Sequence, residues 1–308
     1  MGLRRTAAAL TLAVLAAVGT PLLAAQSAQD LLAAAPSRFA ACDGARVRYK
    51  SLGGGREALV FVHGWSCDLD FWRFQVPAFS RQTRLLLLDL PGFGESAAPK
   101  GSYTMDLFAR SVEAVMRDAG VDRAVLVGHS MGTQVVRQFA RLFPPRTLAL
   151  VAVDGSLRKF GGSPEDVEKL VAPFRTAQYK EAAAKFVDSM FPNPGTEALR
   201  DEARAVAVAT SQQAMVGGFG AMLDPAIWKD DAIRPPLLVV NAKSAFWGPD
   251  YETYVRSLDP DLEYHTLEGA GHFLMLEKPA EFNAILLEFL AKKHLLGVAA
   301  RAAAGGSR

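Results

Sequence analysis

Residues 124–132 read Ala124-Val125-Leu126-Val127-Gly128-His129-Ser130-Met131-Gly132, and this stretch decides the fold. The apolar run predicts a buried strand. The residues from Thr133 to Leu142 have helical spacing. A serine between two glycines at a strand-to-helix turn reads as a nucleophile elbow. The turn is so tight that side chains flanking the serine would collide, so Gly128 and Gly132 keep the space clear. The hydroxyl of Ser130 then stands above a sheet edge, at the start of a helix.

Further strands are expected on either side of this one. Residues 45–50 alternate weakly and suggest an edge strand. Short runs, apolar on both faces, fall at Ala58–Val62, Leu85–Leu88, Leu148–Val153 and Pro236–Val240, with a weaker one at Leu262–Leu267. Segments of helical spacing lie between them, at Met105–Ala119 and Pro279–Ala291 among others. This alternation predicts an α/β fold with a mostly parallel central sheet flanked by helices. Residues 157–231 break the rhythm with charged helical stretches and the turn Phe191-Pro192-Asn193-Pro194-Gly195. They read as an inserted helical cap, with Gly217-Gly218-Phe219-Gly220 as a flexible connection inside it.

The core is therefore expected over 40–156 and 232–297. Of 308 residues, 50% are hydrophobic, enough for one substantial core. The N-terminus is excluded from it. Arg4 and Arg5 precede an apolar run from Ala7 to Ala25, followed by small residues. Residues 1–25 thus read as a signal peptide, with export to the periplasm or exterior; a retained membrane anchor is the alternative. No stable membrane insertion is expected after cleavage. Removal of this segment leaves 32 basic against 32 acidic residues. That balance, with no basic stripe, gives no support to nucleic-acid binding. Residues 298–308, mostly Ala, Gly and Arg, read as a disordered tail. An oxidising compartment permits a disulfide between Cys42 and Cys67; two buried thiols are the alternative.

Serine chemistry needs a base, and five histidines are available. His272 lies in Gly269-Ala270-Gly271-His272-Phe273, after the last expected strand and at the same sheet edge as Ser130. His63 ends a strand and is expected to order the neighbouring loop by hydrogen bonds. Two aspartates qualify as the acid that orients the base. Asp154 directly follows the strand after the one bearing Ser130; Asp250 lies beyond the end of Pro236–Val240. Backbone N–H groups of Trp65 and Met131 are expected to bind an oxyanion. Phe246, Trp247, Phe273 and Phe219 are candidates for a substrate pocket, with core packing the alternative. No residue cluster has metal-ligand spacing, and no cofactor is expected.

Together, His63-Gly64-Trp65, Asp89-Leu90-Pro91-Gly92-Phe93-Gly94, the Ser130 elbow and Gly271-His272-Phe273 resemble the α/β-hydrolase superfamily. Within it, they resemble the capped lipase, esterase and peroxidase-like group. The resemblance implies hydrolysis of a small or medium uncharged ester through an acyl-serine. Lactone, amide or carbon–carbon bond hydrolysis and perhydrolysis use the same three residues, and a non-catalytic binding protein is the remaining alternative. The family usually carries its acid in the loop that here reads Asn241-Ala242-Lys243-Ser244-Ala245-Phe246-Trp247, which contains no carboxylate. Some members carry it one strand earlier, where Asp154 falls. A serine nucleophile also departs from dehalogenases and epoxide hydrolases, whose relatives use an aspartate there.

Overall fold

The computed structural model describes residues 31–159 and 163–298. The expected signal peptide and residues 299–308 lie outside the described residues. Val298, which the sequence places in the tail, is buried and belongs to the core.

Eight strands form one sheet in the order β1-β2-β4-β3-β5-β6-β7-β8. They are β1 (Arg38–Cys42), β2 (Ala45–Leu52), β3 (Glu57–Val62), β4 (Arg84–Leu88), β5 (Arg123–His129), β6 (Thr147–Val153), β7 (Leu237–Ala242) and β8 (Glu263–Leu267). The β1–β2 and β2–β4 pairings are antiparallel, and the pairings from β4 to β8 are parallel. The sequence places residues 45–50 at the sheet edge. The structure moves them one place inward, because Arg38–Cys42 pairs outside them. Only Ala40 and Cys42 of β1 are buried, so the strand lacks the continuous apolar run that marks the others.

The parallel strands are buried on both faces. Val60 and Val62 of β3 point into one apolar cluster, and Leu59 and Phe61 into another. Helices α1 (Met105–Asp118), α2 (Met131–Leu142) and α7 (Pro249–Leu258) contribute to the first cluster. Helix α8 (Pro279–Lys292) covers the other face with the turns around Leu69–Phe79. Thr104 starts α1, its hydroxyl accepting from the Leu107 N–H at 3.0 Å.

Cys42 and Cys67 are both free and buried. This corrects the expected bridge. Cys42 belongs to the cluster that holds Val60 and Val62, whereas Cys67 belongs to the one that holds Leu59 and Phe61, on the opposite face of β3. The sheet separates the two thiols, so no local adjustment brings them to bonding distance.

Between β6 and β7 the described residues form α3 (Pro164–Val171), α4 (Tyr179–Asp188), α5 (Glu197–Ala209) and α6 (Gln212–Leu223). The expected Gly217–Gly220 connection is instead part of α6. A Cβ on Gly217 would stand 2.2 Å from the Tyr103 ring, and one on Gly218 would stand 3.0 Å from the Trp65 ring. These glycines let a helix seat closely on the sheet domain. Among the described residues, no helix is long and apolar enough to cross a membrane.

Candidate active site

Ser130 follows β5 with φ 52° and ψ −119°, a conformation that few side chains adopt. The glycines around it are sterically required. A Cβ on Gly128 would fall 2.2 Å from the Gly132 oxygen, and one on Gly132 would fall 2.4 Å from the Val62 oxygen. The Ser130 N–H donates to Val153 O at 3.0 Å, which ties the turn to β6. Asp154 follows β6 with φ 42°, and its N–H donates to Val240 O of β7 at 2.9 Å. Two neighbouring strands therefore release their next residues at one sheet edge.

The structure brings Asp154 to His272. The imidazole Nδ1–H donates to Asp154 Oδ2 at 2.6 Å. Because a carboxylate can only accept here, Nε2 is left without a proton in the neutral ring, ready to accept one. Asp154 Oδ1 accepts from the Ala242 N–H at 2.8 Å and from Trp247 Nε1–H at 2.7 Å. Asp250 is not brought to the site. It is exposed in the first turn of α7 and pairs with Arg158 at 2.8 Å.

The loop carrying His272 is fixed from several sides. Its N–H donates to Met190 O, at the end of the α4 segment, at 3.1 Å. The Gly271 N–H donates to Glu277 Oε2 at 2.9 Å. His272 O accepts from His129 Nε2–H at 2.9 Å. The Nε2 of His129 is thus committed to the His272 loop. Burial, with His272 beside it, holds its ring well below the usual histidine range, so it is neutral.

His63 orders the adjacent loop. Its Nδ1–H donates to Gly64 O at 2.7 Å, and its Nε2 accepts from the Leu90 N–H at 2.9 Å. Complete burial lowers its pKa to about 4. Gly64 allows the loop to approach the elbow: a Cβ there would stand 3.0 Å from both His129 Nδ1 and Ser130 Cβ. The Trp65 side chain has a different task. Its Nε1–H donates to Met215 O of α6 at 2.8 Å, and its ring packs on Phe174, Phe186 and Phe219.

Ser130, Asp154 and His272 line one cavity of about 480 Å³. Trp65, Phe219, Phe246, Trp247 and Phe273 line it too. Phe246 is 59% exposed and so sits at the rim. Phe273 is buried and stacks on Phe191 at 4.9 Å, making it a wall of the core as much as of the cavity. The bond from Trp247 to Asp154 had no signal in the sequence, since spacing does not reveal where an indole N–H points.

Residues 57–279 match the family model for the alpha/beta hydrolase fold. Over 296 residues the chain is 31% identical to the dihydrolipoyllysine-residue acetyltransferase component of the acetoin cleaving system of Cupriavidus necator. That match covers 92% of this chain and 74% of the relative. It is 26% identical to a pimeloyl-[acyl-carrier protein] methyl ester esterase of Edwardsiella ictaluri, over 78% of this chain and 96% of the relative. A solved hydrolase structure from Pseudomonas aeruginosa PA01 superposes with a TM-score of 0.72 at 26% identity, covering 83% of this chain and 99% of that one. An eight-stranded, mostly parallel sheet with a serine elbow at its edge defines the class. The chain belongs to the α/β-hydrolase family.

Proposed function

We propose that this hydrolase cleaves uncharged carboxylic esters through an acyl-enzyme on Ser130. The observation that carries the reading is the 2.6 Å bond from His272 to Asp154 at the cavity that Ser130 lines. Ser130 Oγ attacks the ester carbonyl while His272 Nε2 takes its proton. Asp154 holds the imidazole orientation and stabilises its charged form. The N–H groups of Met131 and Trp65 receive the oxyanion; Met131 opens α2, where a helix leaves its N–H groups without intrahelical acceptors. The imidazolium then protonates the departing alcohol. Water, activated by the same ring, releases the acid and restores Ser130.

The cavity favours an uncharged substrate. Among the described residues lining it, the one lysine is Lys243 and there is no arginine. Lys243 is exposed and already paired with Glu268 at 3.0 Å. A carboxylate on the substrate would lose water without gaining a buried partner. Walls such as Phe186, Phe219, Met222 and Leu223 suit an apolar acyl or alkyl group. The name of the esterase relative agrees with this chemistry.

A fluorophosphonate probe and a graded series of esters, lactones and amides test the proposal. Ser130 is expected to carry the label, and Ser130→Ala to lose about 10⁴-fold or more in kcat with its fold intact. A label on another residue, or undiminished hydrolysis by Ser130→Ala, overturns it.

A further inference from the structure

We propose that Trp247 is a positioning residue whose indole N–H fixes the carboxylate of Asp154 for its work on His272. The inference rests on the function proposed above and assigns a new role at the same site.

One oxygen of Asp154 meets the imidazole, and the other accepts from two donors of a single segment. A carboxylate held only through Oδ2 could still rotate about its Cβ–Cγ bond. The second pair of bonds sets the plane of the group. One of those donors, the Ala242 N–H, belongs to the end of β7. The other, Trp247 Nε1, comes from a side chain five residues later and is the donor that substitution can remove. Residues 241–247 contain no acid of their own, so this segment receives the carboxylate of β6 rather than supplying one.

The indole is itself held in place. Its ring lies 4.6 Å from Phe246, edge-on at 87°, and 4.6 Å from Tyr251. Tyr251 is buried; its hydroxyl donates to Gly155 O at 3.2 Å and accepts from the Leu157 N–H at 3.0 Å. The backbone directly after Asp154 and the ring that binds Asp154 are thus braced by the same tyrosine. An indole serving only as a cavity wall needs neither this brace nor a 2.7 Å bond to the carboxylate.

Trp247→Phe keeps an aromatic wall and deletes the donor. The rate of Ser130 phosphonylation by a fluorophosphonate reads the base without requiring the natural substrate; ester kcat and KM are measured beside it. We expect phosphonylation and kcat to fall about 10- to 100-fold, the range for a hydrogen bond to a charged group, with KM changed less than about threefold. In an Asp154→Asn background the same substitution is expected to cost less than about threefold, since the acceptor's charge is already gone. A purely structural or wall-forming tryptophan would cost the same in both backgrounds, and that result overturns the proposal. So does a wild-type rate in Trp247→Phe. If Trp247→Phe does not fold, β-(3-benzothienyl)alanine at position 247 gives the same test, because it keeps the indole shape and replaces N–H by sulfur. Failure of the wild type itself to label at Ser130 overturns the serine mechanism and this role together, which separates the two outcomes.

Discussion

Replacing Asp68 by asparagine should make the protein more stable at alkaline pH and progressively less favoured as the pH falls. Asp68 caps the helical turn at Leu69–Gln75, accepting from the Asp70 N–H at 3.0 Å. Burial pushes its pKa from 3.8 up to about 7, with Asp89 and Asp70 adding repulsion. An acid with a raised folded pKa stabilises the native state while protonated. That contribution is complete below its unfolded pKa and is lost as pH rises through about 7. Between pH 5 and pH 8 the loss is about 2–3 kcal/mol by linkage. Asparagine keeps the capping oxygen and carries no charge at any of these pH values. His63 works in the opposite direction. Its folded pKa near 4 lies below the unfolded value of 6.5, so the native state loses about 2 kcal/mol between pH 7 and pH 5. His129 adds to that loss. Groups of opposite sign titrate over the same range in the wild type, so its own pH curve does not isolate one of them. The difference between wild type and Asp68→Asn isolates one group. Urea unfolding at pH 5, 6, 7 and 8 and constant ionic strength measures it. A difference independent of pH would refute the reasoning, by showing that Asp68 is as well solvated folded as unfolded.

Two further outcomes follow from the same structure. Asp154→Asn should slow acylation by roughly 10³ to 10⁴, as for the buried acid of serine proteases, whereas Asp250→Asn should stay within about twofold, because Asp250 meets only Arg158 at the surface. Pre-steady-state acylation of both variants decides between them, and the reverse ranking would show that the acid comes from the wrong strand. Cys42 and Cys67 should both be alkylated in denaturant without reductant and resist alkylation in the native state, since each is buried on its own side of the sheet; mass measurement before and after reduction checks this, and a species two hydrogens lighter would contradict it.

The parts of this molecule legible in the sequence are those where one physical demand dominates. Runs such as Leu85–Leu88 and Val125–Val127 must be apolar throughout because both faces of a parallel strand are covered. Gly128 and Gly132 announce the elbow because any side chain there meets backbone within 2.4 Å. The contact of Asp154 with His272 agrees with what the family resemblance implies, since the loop that usually carries the acid holds none here. What stayed hidden depends on relations across the chain. Arg38–Cys42 becomes a strand by pairing with Ala45–Leu52, with little apolar pattern of its own. Gly217 and Gly218 look like a hinge in sequence, yet they are small so that α6 can accept Tyr103 and Trp65. Cys42 and Cys67 look like partners until the sheet comes between them.

Backbone strain gives the proposed mechanism a further, independent support at this sheet edge. Among the described residues, six other than glycine have positive φ, and three of them, Ser66, Ser130 and Asp154, line the cavity of about 480 Å³. Each such conformation costs on the order of 1–3 kcal/mol and persists only where the surroundings hold it. Here those surroundings are well defined. Ser130 is anchored to Val153 and Asp154 to Val240, both in strands with no exposed face. The rigid centre of the sheet therefore sustains the strain, and the strain turns two adjacent chain segments sharply upward. A serine and a carboxylate emerge side by side, and His272 needs only one loop, clamped by Met190, Glu277 and His129, to join them.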